Sequence, residues 1–150
     1  MKKSLRQKHQ RSRYGAALVE MAVVLPLLLT IVMGIIEFGR ALMVSQLVTN
    51  AAREGTRLAA MDGSTNTDVE TYVRQFVTTT LNVAAADVNV AIVITAATGN
   101  PSPVDNISSA KTRDQIQLSV SVPFEKVSYM TPVRIAGNTN ITGMSVTRHQ

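Results

Sequence analysis

Glu20 is the residue whose type and position carry the most chemistry in this sequence. It lies inside an apolar run, Ala16 to Ile36, in which Thr30 is the only other polar side chain. A carboxylate inside a membrane span costs about 2.5–3.5 kcal/mol on insertion scales and is by default functional. Glu20 is also five residues from Gly15, so its side chain could snorkel to the interface. Both interpretations of Glu20 stay open at this point.

The sequence offers little material for catalysis or metal binding. It has no cysteine, which removes disulfides, thiolate metal sites and cysteine nucleophiles. Its two histidines, His9 and His149, lie near the two ends, where we expect fraying. It contains no nucleophile elbow, P-loop or dinucleotide-binding glycine pattern, and Asp105, Asp114 and Glu125 are interpreted as solvated acids. We therefore predict no catalytic residue, no metal site and no cofactor, and a membrane-tethered enzyme is disfavoured.

The positive charge is concentrated in the first fifteen residues. The formal net charge is +5, from 15 Lys and Arg against 10 Asp and Glu. Residues 1–15 hold six of these bases and no acid, so the remainder has 9 bases against 10 acids, a net charge of −1. This distribution disfavours an extended nucleic-acid-binding surface. The positive-inside rule predicts a cytoplasmic leader, with residues 62–150 on the other side of the membrane.

The apolar run is long enough to cross a membrane. Its 21 residues would form a helix about 31 Å long, the thickness of one hydrocarbon core. The run exceeds the apolar region of a cleavable secretory signal and lacks a small-x-small cleavage site soon after its end. Pro26 removes one helical hydrogen bond and is predicted to kink or loosen the helix. We therefore expect a single membrane-spanning helix.

The helical period continues past the span. One helix is predicted from Ala16 to Met61, ended by Asp62-Gly63. Its distal half carries acids and arginines, for which two interpretations stay open: a solvated face with weak ion pairs, or contacts between subunits of a filament. These residues are Glu37, Arg40, Arg53, Glu54 and Arg57.

The second helix is predicted to follow an oxygen-rich loop, residues 62–67, which lacks the ligand spacing of an EF-hand. A capping box of Thr67 and Glu70 begins this helix, which runs to about Leu81. Its apolar face, with Tyr72 and Phe76 included, is expected to pack in the core.

The rest of the chain is predicted to form strands. Apolar and polar residues alternate over 87–96 and 115–122, and Pro123 ends the second of these strands. A third strand is predicted over 140–148. Lys126–Arg134 is left between a short helix and a loop, and Gly137-Asn138 leads into the third strand. The fold class is therefore α+β: a long N-terminal helix and a small head of one helix on a three-stranded antiparallel sheet.

The residues around Glu20 resemble a known processing signal. Arg13-Tyr14-Gly15 followed by Ala16-Ala17-Leu18-Val19-Glu20 is similar to the cleavage site of type IV pilin-like precursors. The longer stretch over residues 13–61 resembles the TadE-like family, whose members are minor pilins or pseudopilins of tight-adherence (Flp-type) pilus machines. The motifs that carry this resemblance are Leu25-Pro26-Leu27-Leu28-Leu29, Gly34-Ile35-Ile36-Glu37-Phe38-Gly39-Arg40-Ala41 and Asn50-Ala51-Ala52-Arg53-Glu54-Gly55-Thr56-Arg57-Leu58-Ala59-Ala60.

The resemblance implies a processed and assembled subunit. A prepilin peptidase would cut after Gly15, Ala16 would become the N-terminus, and Glu20, fifth in the mature chain, would pair with the Ala16 amine of a neighbour. The implied partners are this peptidase, other pilin or pseudopilin subunits and an inner-membrane assembly platform. The implied domains are a leader (1–15), a transmembrane and extended helix (16–61) and an α+β head (62–150).

The resemblance also implies a location and leaves an alternative. The protein would span the bacterial inner membrane once, with a periplasmic head that becomes extracellular after pilus assembly. The alternative is an uncleaved single-pass scaffold protein of a secretion or pilus complex. The sequence does not distinguish a stable filament subunit from a transient assembly factor, and it identifies no adhesive ligand of the head.

Overall fold

Helix α1 spans Ser4–Ala59 in the computed structural model, which describes residues 4–103, 105–129 and 139–149, with side chains from Gly15 onward. The predicted start at Ala16 is wrong. The leader is rich in Lys, Arg and Gln, which favour helix, and contains no proline. The end at Ala59 lies close to the predicted Met61, and a backbone hydrogen bond from Ser64 to Met61 closes the turn that follows.

The part of α1 from Ala16 to Ile36 is apolar nearly all round. Its most apolar window has a mean hydropathy of 2.5, and none of that window is buried. Among the described residues this is the one helix long and apolar enough to cross a membrane. Side chains such as Leu18 and Val23, each 71% exposed, need a covering of lipid or of other helices. The helix therefore suggests a single-pass membrane protein.

Helix α2 spans Asn66–Leu81, and its N-cap is Thr65, so the predicted capping box at Thr67 is wrong. The Thr65 hydroxyl accepts a hydrogen bond from the backbone N–H of Asp68 at 3.2 Å, and the Asp68 carboxylate accepts one from the Thr65 N–H at 3.2 Å. The physical reason is tertiary. The Asn66 side chain donates to the Asp105 carbonyl at 2.7 Å and accepts from the Ile107 N–H at 2.8 Å, which holds the first turn in place.

The buried stripe of α2 is narrower than predicted. It consists of four residues at four-residue spacing, Val69, Val73, Val77 and Leu81. Tyr72 and Phe76 are 43% and 41% exposed, so the prediction that they belong to the core is wrong. Each comes directly before a buried valine and is therefore turned about 100° around the helix axis from it.

The three strands form one antiparallel sheet, as predicted. They are β1 (Asn89–Thr95), β2 (Gln115–Pro123) and β3 (Asn140–Arg148), in the order β1-β2-β3. Val90 pairs with Val120, and Val120 pairs with Gly143. One face of β2 is fully buried because its apolar residues alternate with Gln and Ser; these residues are Ile116, Leu118, Val120 and Val122.

The distal part of α1 packs on this sheet together with α2. Its buried residues recur every three or four positions: Val44, Val48, Ala51, Ala52, Gly55, Thr56 and Ala59. Two glycines allow the close approach. A methyl group on Gly143 would lie 2.5 Å from the backbone carbon of Val48, and one on Gly55 would lie 2.6 Å from Cγ2 of Val73. The core therefore has three components: α1, α2 and the inner face of the sheet.

The chain divides into two units, Met1–Phe38 and Gly39–Gln150, and α1 contributes to both. The predicted domain boundaries after residues 15 and 61 remain predictions. A 3₁₀ turn, Phe124–Lys126, ends at the first residue of the segment predicted as either a short helix or a loop, Lys126–Arg134. Its end at Arg134 lies outside the described residues, as do Gly137 and Asn138.

Candidate functional site

The predicted cleavage and pairing residues lie in one continuous stretch of α1. Gly15, Ala16 and Glu20 are all exposed. A methyl group placed on Gly15 would meet no atom within 4 Å. Glu20 lies about 6 Å along the helix axis from Ala16. Among the side chains that the structure describes, Glu20 has no hydrogen-bond or ion-pair partner.

Pro26 lies inside α1 without ending it. It cannot donate the backbone hydrogen bond that other helical residues make to the carbonyl four positions earlier. The Thr30 hydroxyl donates to the Pro26 carbonyl at 2.8 Å, which adds a local polar contact in the apolar run. The predicted kink remains a prediction.

Arg40 contacts the head of the same chain. Glu37 lies one turn earlier in α1 and belongs to the unit Met1–Phe38. The Arg40 Nε donates to the Val127 carbonyl at 3.0 Å. Its guanidinium carbon lies 4.8 Å from the centre of the Tyr129 ring, within cation–π range. The sequence identified Arg40 as a candidate contact residue. It did not identify Val127 as the partner, because Val127 is 87 positions away.

Arg57 forms an ion pair within its own helix. It contacts Glu54 through Nη2, 2.5 Å from Oε1, and through Nε, 3.1 Å from Oε2. The hydrogen bond from Arg57 holds the pKa of Glu54 below its ordinary value. Both side chains are well exposed, and exposed pairs contribute little to stability. This geometry matches the ion-pair interpretation of Arg57.

Arg53 lies one turn before Arg57 and is exposed, with no acidic partner among the described side chains. It lines a groove of about 590 Å³ between the end of α1 and strand β3. The other lining residues include Arg57, Met61 and Val146. Among the described residues, Arg40 and Arg57 have partners within the chain, whereas Arg53 has none. The charge of Arg53 is therefore available to another molecule.

Asp114 is fully buried, so its interpretation as a solvated acid is wrong. Its Oδ1 accepts hydrogen bonds from the Asn100 side-chain amide at 2.7 Å and the Ala97 N–H at 2.8 Å. Its Oδ2 accepts one from the Lys111 N–H at 2.8 Å. These three donors, Asn100 first, hold the pKa of Asp114 below its ordinary value. The signal for this role was an aspartate directly before a strand, where Asp side chains commonly accept backbone N–H groups.

His149 and Asp105 also have structural roles that the sequence did not show. The N–H of His149 donates to the Asp114 carbonyl at 2.8 Å and its side chain is only 9% exposed, so the expected fraying at this residue is wrong. The Asp105 carboxylate accepts from the Ile94 N–H at 2.7 Å, on the side of β1 away from β2. Glu125 is exposed, as predicted.

Within residues 4–103, 105–129 and 139–149, no group of three or more His, Asp or Glu side chains is arranged to hold a metal ion. The contacts of Asp105 and Asp114 are to backbone and amide N–H groups of the head. Asp105 and Asp114 therefore hold loops of the head in place.

Comparison with known proteins finds a similarity for the N-terminal segment alone. No curated protein and no solved structure shows significant similarity to the chain. The family model described as TadE-like protein matches residues 15–57, the stretch of α1 that contains Gly15, Glu20, Pro26 and Arg40. The resemblance predicted from the sequence is confirmed: residues 15–57 of α1 are similar to the TadE-like family.

Proposed function

We propose that this protein is a minor pilin or pseudopilin of a tight-adherence (Flp-type) pilus machine. The TadE-like match supports involvement in such a pilus system, and that family consists of pilus components and not of enzymes. The observation that supports the minor pilin or pseudopilin role is that two features occur in the same stretch of chain. The matched residues 15–57 include the unburied apolar helix and its single intramembrane acid, Glu20.

The proposed location is the bacterial inner membrane, with the N-terminus in the cytoplasm and the head in the periplasm. Six Lys and Arg precede the span, which favours a cytoplasmic leader. The head leaves the membrane with the growing pilus and then lies outside the cell. Its partners are a prepilin peptidase, an inner-membrane assembly platform and other pilin or pseudopilin subunits.

Cleavage is proposed between Gly15 and Ala16. Glycine weakens a helix interior by about 0.5–1 kcal/mol relative to alanine, so α1 opens more readily at Gly15 than at its neighbours. The open space around Gly15 leaves room for a peptidase to approach this bond. Cutting there removes all six leader charges and creates an α-amine at Ala16.

Glu20 is proposed to pair with the Ala16 amine of a neighbouring subunit. An unpaired carboxylate in the span is costly, and a cation in hydrogen-bonding distance offsets that cost. The pair would also set the axial register between subunits, because Glu20 and the amine lie about 6 Å apart along one helix. Farther along α1, Arg53 is the proposed contact to another subunit.

The mature N-terminus tests the cleavage proposal. Mass spectrometry of the protein from cells with the pilus machine should show a chain that begins at Ala16. Gly15→Val should block this processing, and Gly34→Val is the matched control, since a methyl group on Gly34 also meets no atom within 4 Å. A chain that keeps Lys2 in a working machine would support the alternative, an uncleaved scaffold protein.

Loss of the carboxylate tests the pairing proposal. Glu20→Ala should leave membrane insertion intact, measured by resistance to alkaline extraction, and should abolish incorporation into sheared pili. Glu125→Ala removes an exposed acid of the head and serves as the control. Normal incorporation of the Glu20→Ala subunit would exclude the pairing role even if cleavage at Gly15 is confirmed.

A further inference from the structure

The outward face of α1 changes from apolar to polar shortly after the membrane span. Leu42 and Met43 are 51% and 55% exposed, although they belong to the unit that contains the head. The exposed residues that follow on the helix are all polar: Gln46, Asn50, Arg53 and Arg57. Because the head covers the opposite face, this change is the one expected for a helix whose surroundings turn from apolar to aqueous between Met43 and Gln46.

A cluster of side chains lies at this transition. The Arg40 guanidinium lies over the ring of Tyr129, 4.8 Å from its centre, and its Nη1 lies 3.7 Å from the Met43 sulfur. Tyr129 is 68% exposed, although it is aromatic. We call Arg40, Leu42, Met43 and Tyr129 the interface cluster.

The position of this cluster along the chain identifies what covers it. Arg40 is four residues past Ile36, the last residue of the apolar run, which is about 6 Å along a helix. The headgroup layer of one leaflet is about 5–7 Å thick. Side chains of a helix point back toward its N-terminus, so Leu42 and Met43 cover the level of the preceding turn. The cluster therefore falls at the lipid headgroups whenever residues 16–36 span the bilayer.

The chemistry of the cluster suits that layer. A tyrosine ring has an apolar body and a polar tip, which is why Tyr is enriched at membrane interfaces. Arginine has five N–H donors and binds phosphate through two parallel hydrogen bonds. The Arg40 Nε donates to the Val127 carbonyl and Nη1 lies near the Met43 sulfur, so these two contacts do not use the Nη2 end of the guanidinium.

We propose that the interface cluster binds the headgroup layer of the membrane, with the Arg40 guanidinium on a phospholipid phosphate and the Tyr129 ring at the boundary with the acyl chains. Arg40 thereby joins two contacts, one to the bilayer and one to the Val127 carbonyl of the head. The head is seated on the membrane surface through this side chain. The inference rests on the membrane span and not on the pilus role, so the two proposals fail separately.

The chain has no tryptophan, so a single introduced tryptophan reports its own depth. The full-length Tyr129→Trp variant is reconstituted into phosphatidylglycerol–phosphatidylcholine vesicles that contain lipids brominated near the headgroup. We expect the fluorescence of this variant to be strongly quenched by the brominated lipids and poorly quenched by aqueous acrylamide. Tyr72→Trp is the matched control, since Tyr72 is also an exposed tyrosine and interacts electrostatically with Arg57, about 25 Å farther along α1.

Two results would overturn the membrane contact. If acrylamide quenches the Tyr129→Trp variant as strongly as the Tyr72→Trp variant, the indole at position 129 lies in water. If that indole is shielded from both acrylamide and brominated lipid, another protein subunit covers it. Limited proteolysis of the head confirms that each variant is folded, so that neither result is a consequence of unfolding.

The phosphate contact has its own test in the Tyr129→Trp protein. Vesicles of a galactolipid without phosphate should quench its fluorescence at least twofold more weakly than the phospholipid vesicles, with the same brominated acyl chains in both. Arg40→Gln should abolish this difference between the two lipids, whereas Arg53→Gln should preserve it. Equal quenching in both lipids with Arg40 present would exclude phosphate as the ligand.

Discussion

Replacement of Gly143 by alanine should destabilise the head more than any other glycine-to-alanine change that we compare. An added methyl group would lie 2.5 Å from the carbonyl carbon of Val48 and 2.6 Å from the Cα of Thr49. Carbon atoms in van der Waals contact are about 3.5–4.0 Å apart, so α1 and β3 would have to separate by about 1 Å. These are backbone atoms of a helix, which cannot rotate out of the way.

The expected loss in the free energy of unfolding is about 3 kcal/mol, the upper part of the range for overpacked cores. Single domains are stable by about 5–15 kcal/mol, so this is a large fraction of the total. For a domain of this size it lowers the midpoint of thermal unfolding by about 10 °C or more. The Gly143→Ala head should still fold at low temperature, with reduced resistance to urea.

Two glycines of α1, Gly39 and Gly55, give a comparison for the expected loss at Gly143. Gly39→Ala meets no atom within 4 Å and should be neutral or gain about 0.5–1 kcal/mol from helix propensity. Gly55→Ala meets Cγ2 of Val73 at 2.6 Å and Cδ2 of Leu118 at 2.7 Å. Those atoms are ends of side chains that can rotate, so an intermediate loss of about 1–2 kcal/mol is expected.

The measurement is pulse proteolysis of the full-length protein in detergent micelles across a urea series. This method reports the folded fraction of the head, whereas circular dichroism would be dominated by α1. The expected order of urea midpoints is Gly39→Ala highest, then Gly55→Ala, then Gly143→Ala. A Gly143→Ala protein as stable as the wild type would refute the close packing of α1 on β3.

Three further substitutions test the contacts of the head by the same method. Thr65→Ala should cost about 1 kcal/mol because it removes the N-cap of α2, whereas Thr67→Ala, an exposed change inside the helix, should be nearly neutral; the reverse order would restore the capping box at Thr67. Asp114→Asn should lower the urea midpoint at pH 7, because an amide nitrogen replaces one of the acceptors of three N–H groups. The lowered pKa of Asp114 means that its charge stabilises the folded head above the ordinary aspartate pKa of about 3.9, and that this stabilisation is lost as the pH falls through the lower, folded-state value. The wild type and Asp114→Asn should therefore converge in strong acid, and a constant difference from about pH 7 to about pH 2.5 would contradict the role of the charge. Arg57→Ala should leave the midpoint unchanged, because its pair with Glu54 is solvent-exposed; a clear loss would mean that Arg57 has a further contact in the head.

The functional proposals rest mainly on α1, which the TadE-like match covers, and only in part on the head. The match ends at residue 57, near the end of α1, so α2 and the sheet lie outside it. The contacts of the head that we describe hold loops and helices together, as those of Asp114 and Asn66 do. The proposals for membrane insertion, cleavage and subunit pairing therefore all concern α1, and the head contributes Val127 and Tyr129 to the proposed membrane contact.

The sequence by itself determined the features that depend on neighbouring residues. The 21-residue apolar run and the alternation in β1 and β2 are local patterns, and each predicted its element or its buried face. The family resemblance is likewise carried by one continuous stretch. Helix ends were less well predicted, because the spacing of Thr65 to Asp68 and of Thr67 to Glu70 is the same, and only the contacts of Asn66 distinguish them.

Only the tertiary structure decided which residues meet across the fold. Asp114, Arg40 and Gly143 appear in the sequence as an isolated acid, a helix-surface base and a glycine in a strand. Their roles depend on Asn100, Val127 and Val48, which lie 14, 87 and 95 positions away. A local pattern has no information about such distances, because long-range contacts arise only when α1, α2 and the sheet pack together. The same holds for Tyr72 and Phe76, whose apolar character predicted burial that the narrow contact surface of α2 does not provide.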